Sequence, residues 1–317
     1  MNNYPIYELK LKPLSPWISD LTADTIFGHL CWQIKYEKWE DVLVSFLEEM
    51  IDNPIFTISD ILPADRLPRP LTKFDGDLWD KAKRDYVRNK RYKTVDRVNI
   101  NKFKQHFLWK ELNLDNIKQA KVDIGKDKVK YFVTNIENNN IIDRNTGTTW
   151  EWWIYSQESI ISTWVVLSLF IKLFNKEKFE NLWIIDLLRN IFEIQGFGKK
   201  KSTGKWLFKI EAINKNFKEE FYENWTSDCK NILLLSSFVP SEKDTKNWNY
   251  KIFTKFPKMW EEFSMEWTNF YKKPLVIIEK WATFINNNKW YIGGMIENMD
   301  FNNKWVCHYG YWFTLEF

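Results

Sequence analysis

The sequence predicts an α+β protein built from two ferredoxin-like (RRM-like) domains in tandem, the first with a long basic insertion and the second degenerate. One observation is the order strand, helix, strand, insertion, strand, helix, strand over 1–213, which is the split β-α-β order. Another is a set of strand-like segments from 232 onward. The third is a length of 317 residues with 44% hydrophobic residues, which is enough for two cores.

The first strand and the two helices after it are predicted from their periodicity. Residues 7–11 alternate apolar and charged side chains, so the strand should have one face in solvent and end at Pro13. Thr22 is the predicted N-cap of the first helix, and Asp24 would favour the positive end of its dipole. The second helix should bury one apolar face, formed by Trp39, Val42, Leu43, Phe46, Leu47 and Met50.

Four further segments complete the first domain. They are a strand over 55–61, a strand or a helix over 162–173, a helix over 178–193 and a strand over 205–213. The first domain therefore spans 1–213, with an insertion over about 74–150. After a polar stretch, a smaller C-terminal domain is predicted over 225–317, with strands over 232–239, 250–256, 275–281 and 311–317.

The insertion interleaves basic and aromatic residues. Arg88, Arg91 and Arg97 lie near Tyr86, Tyr92 and Phe103 in a segment that we expect to have little capacity to form a core. Cations beside aromatic rings can bind a nucleic-acid backbone and stack on exposed bases. A solvated basic helix is an equally good interpretation of the composition.

A loop over 196–204 is the strongest candidate for a binding site, because three of the ten glycines fall here among lysines. Glycines can adopt positive φ and let backbone N–H groups approach a ligand closely, while lysine and hydroxyl side chains donate to phosphate. Together with the three arginines above and Arg144 in the turn 143–147, the predicted RNA-binding residues are Gly196, Gly198, Lys199, Lys200, Lys201, Ser202, Thr203, Gly204 and Lys205.

Two familiar nucleotide motifs do not fit this loop. A Walker A sequence needs Ser or Thr after Gly204-Lys205, where the chain has Trp206, and the dinucleotide motif needs glycine at 201 and a strand before the loop. ATP and NAD are therefore not expected. The alternative without a ligand is a solvated lysine turn.

Composition and charge narrow the class of protein. The net charge of +4 is modest, so a nucleic-acid interface must come from local clusters of basic residues. The three cysteines and three histidines lack metal-site or disulfide spacing, and no apolar stretch is long enough to span a bilayer. We expect a cytoplasmic protein without a metal or a cofactor, in which most of the nineteen tryptophans are buried.

Six segments occur in the order of a known family. They are 22–27 (TADTIF), 67–71 (LPRPL), 140–147 (NIIDRNTG), 196–204 (GFGKKKSTG), 235–240 (LSSFVP) and 308–313 (HYGYWF). The set resembles the RAMP-superfamily subunit that binds the crRNA 5′ tag in type III-A CRISPR effector complexes, the fourth subunit of the Csm complex. The loop departs from the family where Lys199 and Lys201 stand in place of a further glycine or an arginine, which keeps the charge but loses the bidentate guanidinium.

This resemblance implies a non-catalytic RNA-binding subunit of an antiviral complex. It would cap the 5′ tag of crRNA close to the target RNA, and it would bridge the large polymerase/cyclase subunit to the backbone RAMP subunit. In relatives, a thumb-like insertion disrupts the guide–target duplex near the tag, and the basic insertion is the candidate for it here. A type III-B counterpart would change the partners but not the chemistry.

Some RAMP proteins instead cut precursor crRNA without a metal, using a histidine near the first helix. His29 lies close to that place and off the apolar stripe, where it could be exposed. A single histidine without a second acid or base nearby is more often structural. Endoribonuclease activity is therefore the alternative function.

Overall fold

The computed structural model describes residues 4–71, 90–108, 114–124, 131–143, 145–162, 165–198, 201–223, 231–240, 244, 248–259, 271–285, 291–300 and 306–317. The helices are α1 (Ala23–Lys38), α2 (Glu40–Asp52), α3 (Ile100–Phe103), α4 (Leu114–Ile124), α5 (Lys176–Asn181), α6 (Ile184–Arg189) and α7 (Phe217–Phe221). Helix α3 continues into a π-helical turn, Lys104–Leu108, and α6 into another, Asn190–Gln195, and a 3-10 turn covers Lys201–Thr203.

The strands alternate with these helices in the first half of the chain. They are β1 (Ile6–Pro13), β2 (Phe56–Ile58), β3 (Leu62–Pro63), β4 (Arg66–Pro68), β5 (Arg97–Asn99), β6 (Phe132–Ile142), β7 (Thr149–Ser162), β8 (Leu167–Leu173), β9 (Phe208–Asn214), β10 (Asn231–Leu234), β11 (Trp248–Asn249), β12 (Ile252–Lys255), β13 (Leu275–Ile278), β14 (Thr283–Ile285), β15 (Met295–Ile296), β16 (His308–Tyr309) and β17 (Thr314–Glu316). The prediction of an α+β protein is confirmed.

The first half forms an antiparallel sheet in the order β2-β8-β1-β9, with β3 also paired to β8. Strand β8 separates β1 from β2, so the structure has the predicted split β-α-β order. The segment that could have been a helix is the strand β8. The helix predicted over 178–193 is divided at Trp183, which has a φ of 57°, and the last strand begins only at Phe208 because Trp206 has a φ of 71°.

Apolar side chains cover both faces of this sheet. In β8, Leu169 and Ile171 pack in a cluster with α1, α2 and α6. Phe170, which points to the other face, packs in a second cluster. This cluster also contains residues of the insertion and of the part of the chain from 231 onward, which we call the C-terminal half. Every residue of β8 is buried as a result.

The prediction that one face of β1 lies in solvent is wrong. Glu8 is only 4% exposed, and its Oε1 accepts a hydrogen bond from Ser168 Oγ at 2.5 Å. Burial raises the pKa of Glu8, although the hydrogen bond from Ser168 opposes this shift. The second cluster covers this face of the sheet around Ile6, and β1 becomes exposed only towards its end, at Lys12.

The expectation that the insertion has little capacity to form a core is also wrong. Its apolar residues make up much of the second cluster, together with Phe313 and Phe317 near the end of the chain. The rings of Phe103 and Phe317 lie 5.6 Å apart. The contributing residues of the insertion are Tyr92, Val95, Val98, Phe103, Phe107, Leu108, Ile117, Ala120 and Ile124.

Strands β6 and β7 form a long antiparallel hairpin that extends past position 150 to Ser162. Its tip is the predicted turn: Gly147 has a φ of 67°, and its N–H donates to Asp143 O at 2.8 Å. At its base, Ile160 pairs with Trp17, which joins the hairpin to the segment after β1. The hairpin therefore projects from a fixed base.

The C-terminal half contains a second antiparallel sheet in the order β11-β14-β10-β17. The four strands predicted there correspond to β10, β12, β13 and β17. Strands β12 and β13 form a separate two-stranded ribbon, as do β15 and β16. The described residues from 231 onward form strands, bridges, turns and loops, so a second ferredoxin-like domain stays a prediction.

The start of α1 is capped by a distant carboxylate. Thr22 occupies the predicted N-cap position, but its hydroxyl pairs with that of Thr25 at 3.0 Å and does not cap the backbone. Asp60 Oδ1 instead accepts the N–H of Ala23 at 3.0 Å. Asp60 therefore supplies the acceptor that a local N-cap side chain usually provides.

Two ion pairs join this end of α1 to the C-terminal half. Lys280 Nζ lies 3.1 Å from Asp60 Oδ2, and Lys255 Nζ lies 2.7 Å from Asp24 Oδ2. Burial raises the pKa of Asp60 despite the nearby Lys280. In Asp24, Lys255 and His308 more than offset the effect of burial, so its pKa is lowered.

We predict that Asp60→Ala lowers the free energy of unfolding by about 3 kcal/mol, because it leaves Lys280 without its carboxylate and removes the cap of α1. Urea unfolding followed by circular dichroism would measure the change. The control is Lys176→Ala, which breaks an exposed pair with Glu180 and should change stability by less than about 0.5 kcal/mol. Equal effects of the two substitutions would contradict the predicted role of Asp60.

Candidate nucleic-acid interface

The glycine- and lysine-rich loop leads from the π-helical turn Asn190–Gln195 to β9, so it joins a helical segment to a strand as predicted. Phe197 and Trp206, one at each end of the loop, are fully buried, with their rings 5.2 Å apart. These two side chains fix both ends of the loop in the core.

The three glycines of the loop adopt positive φ, as predicted. The values are 67° at Gly196, 88° at Gly198 and 75° at Gly204. A Cβ atom at 198 would lie 2.6 Å from Trp206 Cε2, whereas a Cβ atom at 204 would meet no heavy atom within 4 Å. Gly198 is therefore required by the indole packed against it as well as by its backbone conformation.

His29 holds the loop against α1. Its Nε2 accepts a hydrogen bond from the backbone N–H of Gly198 at 2.9 Å, across 169 positions of sequence. Burial and then the charge of Lys201 lower the pKa of His29 to about 3, so the imidazole is neutral at physiological pH. The interpretation of His29 as an exposed residue is wrong, since only 7% of it is accessible.

Lys205 contacts the hairpin. Its Nζ lies 2.6 Å from Glu137 Oε2 on β6, and the other oxygen of Glu137 accepts a hydrogen bond from Ser159 Oγ at 2.9 Å. Lys205 is only 9% exposed. This arrangement does not fit the predicted role of Lys205 as a phosphate donor; instead, the lysine fixes the end of the loop to the middle of β6.

The outer part of the loop is accessible where it is described, and its RNA-binding role stays a prediction. Thr203 and Gly204 are exposed and Lys201 is partly exposed. The backbone of Ser202 lies in the 3-10 turn between them. Lys199 and Lys200 lie outside the described residues, as do Arg88 and Arg144 of the predicted site, and their roles stay predictions.

The aromatic residues predicted to stack on bases are mostly internal. Tyr92 is 1% exposed, and the guanidinium of Arg69 lies 4.5 Å from its ring centroid. Phe103 is fully buried, so neither ring can stack on RNA. Tyr86 lies outside the described residues.

The two described arginines of the predicted site differ. Arg91 is exposed, and its RNA-binding role stays a prediction. Arg97 lies in β5 with its guanidinium 5.5 Å from the ring centroid of Phe132, and burial lowers its pKa. The position of Arg97 does not fit the predicted backbone contact, because the side chain packs the insertion against the hairpin.

Sequence inspection missed the residues that position the loop. His29 lies on α1, Glu137 on β6 and Trp206 between the 3-10 turn and β9, and their contacts have no local sequence pattern. Among the described residues, no three His, Cys, Asp or Glu side chains are grouped so as to hold a metal ion. Within the same part of the chain, no helix is both long enough and apolar enough to cross a membrane.

Comparisons with solved structures show which fold this is. The chain matches one in the crystal structure of the Csm3–Csm4 subcomplex of a type III-A CRISPR-Cas interference complex, with a TM-score of 0.64 and 14% identity over 99% of both chains. It also matches a chain in the Csm1–Csm4 cassette with AMPPNP, with a TM-score of 0.58 and 15% identity over 98% of this chain and 97% of that one. Csm4 is common to both assemblies. The fold is that of Csm4.

The same cassette with cA4 gives a TM-score of 0.59 at 15% identity. Searches with family sequence models and with curated protein sequences gave no match. The resemblance noted in the sequence is thus confirmed at the level of the fold. Because both chains are covered almost completely, the Csm4 fold accounts for the insertion and the C-terminal half as well as the first sheet.

We predict that Gly198→Ala destabilises the protein more than Gly204→Ala. Both substitutions place a side chain at positive φ, which costs roughly 1–2 kcal/mol. Only the first also forces a methyl group into Trp206, which should add about 1–3 kcal/mol. Urea unfolding of the two variants gives the comparison, and equal losses of stability would show that contact with Trp206 does not decide the residue at 198.

We also predict that His29 makes stability depend on pH. Between about pH 6.5 and about pH 3, the unfolded chain binds a proton at this histidine that the folded chain does not, so the free energy of unfolding falls as the pH is lowered. His29→Gln keeps an acceptor for Gly198 but cannot titrate. Its stability should decline less steeply over that window, by up to about 1.4 kcal/mol per pH unit.

His308 titrates in nearly the same window, because burial lowers its pKa to about 4 even though Asp24 opposes the shift. This histidine is present in both proteins, so the difference between the two pH profiles isolates His29. Parallel profiles would mean that His29 is as easily protonated in the folded chain as in the unfolded chain.

Proposed function

We propose that this protein is a non-catalytic RNA-binding subunit of a type III CRISPR interference complex. In this role it caps the 5′ tag of crRNA through the loop 196–204, close to the target RNA, and bridges the large polymerase/cyclase subunit to the backbone RAMP subunit in the cytoplasm. The observation that carries the proposal is the agreement of fold, over almost the whole length of both chains, with the subunit common to the Csm3–Csm4 and Csm1–Csm4 assemblies.

The geometry of the loop supports RNA as the ligand. Its two ends are fixed by Phe197, Trp206 and the ion pair of Lys205, and between them Thr203 and Gly204 are exposed. That part carries consecutive lysines, hydroxyl groups and a glycine at positive φ. Such a loop can bind phosphate through backbone N–H groups and ammonium groups.

The position of His29 favours a binding role over RNA cleavage. A general acid or base must reach the reacting atoms and exchange a proton near neutral pH. His29 is buried, its Nε2 already accepts the N–H of Gly198, and its pKa is lowered to about 3. The endoribonuclease alternative would therefore require another group.

The projecting hairpin β6–β7 is the candidate for the thumb-like element that acts on the guide–target duplex. Its tip, at 143–148, is polar, and its length carries exposed apolar residues such as Ile136 and Ile154. Lys205 binds Glu137 in the middle of β6, and Trp17 pairs with Ile160 near the base of the hairpin. A duplex whose guide strand is bound at the loop would therefore lie close to the hairpin.

The test is binding of crRNA with and without its 5′ tag over a range of salt concentrations. The triple variant Lys199→Ala, Lys200→Ala, Lys201→Ala should bind tagged crRNA more weakly, and the slope of log K against log salt should fall by about 0.7 for each lost phosphate contact. The loss should be larger for tagged than for untagged RNA. The matched control removes three exposed lysines elsewhere: Lys176, Lys215 and Lys251.

An equal loss for both RNAs would make the loop a general electrostatic surface, and no loss would place RNA binding elsewhere. The RNA recovered after incubation should keep its full length. Shortened RNA, produced by the protein alone and with a uniform new 5′ end, would favour the endoribonuclease alternative.

A further inference from the structure

On the side that holds the loop, helix α1 carries the exposed ring of Tyr36 and the partly exposed ring of Trp32. Trp32 and Tyr36 lie one helical turn apart, with ring centroids separated by 5.7 Å and planes inclined by 30°. Lys35 Nζ lies 5.2 Å from the centroid of Trp32, and Tyr36 is 53% exposed. We call Trp32, Tyr36, Trp39 and Trp183 the aromatic strip.

Two tryptophans at the far end of the strip lie outside the hydrophobic core. Trp39, which the sequence predicts on the buried face of α2, is 81% exposed, and Trp183 is 62% exposed. Both have positive φ, 78° and 57°, which is uncommon and strained for bulky side chains. Lys38 Nζ lies 6.0 Å from the centroid of Trp183. Core packing therefore does not explain either ring.

The strip begins where the loop is attached. Tyr36 follows His29 by seven residues, which is about two helical turns, so both residues lie on nearly the same side of α1 about 10 Å apart along its axis. His29 is the residue that binds Gly198 of the loop. A chain leaving the loop along this side of α1 would meet Trp32 and then Tyr36.

Cations lie beside two rings of the strip, and two exposed carboxylates, Glu40 and Asp41, follow Trp39 at its far end. Lys35 and Lys38 lie over rings of the strip. The carboxylate between them, Glu37, accepts hydrogen bonds from Gln33 and from Asn190, so its charge is partly satisfied within the protein. Aromatic rings flanked by cations are typical of surfaces that bind single-stranded nucleic acid.

We propose that the aromatic strip binds unpaired RNA bases by stacking, as a continuation of the phosphate site at the loop 196–204. This inference rests on the proposed RNA-binding function and adds a second, non-electrostatic contact to it. Stacking tolerates any base, since each base has a π face. The strip therefore contributes affinity, whereas the loop contributes the salt-dependent contact with the backbone.

The test uses the full chain and a fluorescein-labelled single-stranded oligoadenylate, with binding followed by anisotropy at several salt concentrations. Tyr36→Ala should weaken binding about tenfold without changing the slope of log K against log salt, because stacking releases no counterions. Tyr36→Phe keeps the ring and should bind as the unmodified protein does. The doubly substituted Trp32→Ala, Tyr36→Ala protein should lose more affinity, provided circular dichroism shows it folded.

Tyr271→Ala is the matched control. Tyr271 is 43% exposed and has Lys258 Nζ 5.1 Å from its ring centroid, but it belongs to the C-terminal half of the chain. This variant should bind oligoadenylate normally. A loss equal to that of Tyr36→Ala would mean that any exposed ring contributes, and the strip would have no particular role.

The lysine variants separate this inference from the proposed function. If the unmodified protein binds no RNA, both fail. In a second outcome, the triple lysine variant binds RNA more weakly, with a smaller slope of log K against log salt, while Tyr36→Ala binds normally. That result would support RNA binding at the loop and would contradict stacking on the aromatic strip. If Tyr36→Ala keeps its RNA affinity but no longer co-purifies with neighbouring subunits, the strip is a protein-docking surface, which also overturns the inference.

Discussion

Burial of β1 and β8 on both faces is the constraint on which the rest of the structure depends. An antiparallel sheet can leave one face in water, but here one face packs on helices and the other on the insertion and the C-terminal half. This arrangement makes the two halves mutually dependent, because polar groups on the second face need partners from the other half. Lys172 shows this: its Nζ donates to Thr314 O at 2.8 Å and contacts Thr314 Oγ1 at 2.7 Å.

Several contacts between the halves involve the start of α1 and the segment from β2 to Asp60. Asp24 and Asp60 pair with lysines of the C-terminal half, and the hydroxyl of Tyr309 accepts the N–H of Ile58 at 2.9 Å. Burial raises the pKa of Tyr309, so this hydroxyl stays neutral. Helix α1 is therefore fixed at its start by the C-terminal half and can hold Gly198 through His29 in a constant position. Preorganisation of this kind lowers the entropic cost of binding a ligand.

Buried lysines and aromatic rings stabilise the fold, whereas exposed ones are available to bind RNA. Lys172, Lys205 and Lys280 have partners inside the protein, and Tyr92 and Phe103 fill the core. By contrast, Lys201 in the loop is partly exposed, and the rings of Tyr36, Trp39 and Trp183 in the aromatic strip are exposed. The His29–Gly198 contact joins the loop to the helix that carries Trp32 and Tyr36. One RNA strand could therefore meet a phosphate site and a stacking surface in succession.

The sequence by itself determined the features that depend on neighbouring residues. Periodicity located β1, α1, α2 and the helical segment that contains α5 and α6, and it located β8 without deciding between a strand and a helix. The glycines of the loop and of the hairpin tip indicated positive φ, because few other residues tolerate it. Only the tertiary structure decided which faces of the strands are exposed to solvent and that the insertion contributes to the hydrophobic core. It also decided that Lys205 is ion-paired and that Trp39 is exposed. Those outcomes depend on contacts between distant residues, such as His29 with Gly198 across 169 positions, and no local pattern encodes them.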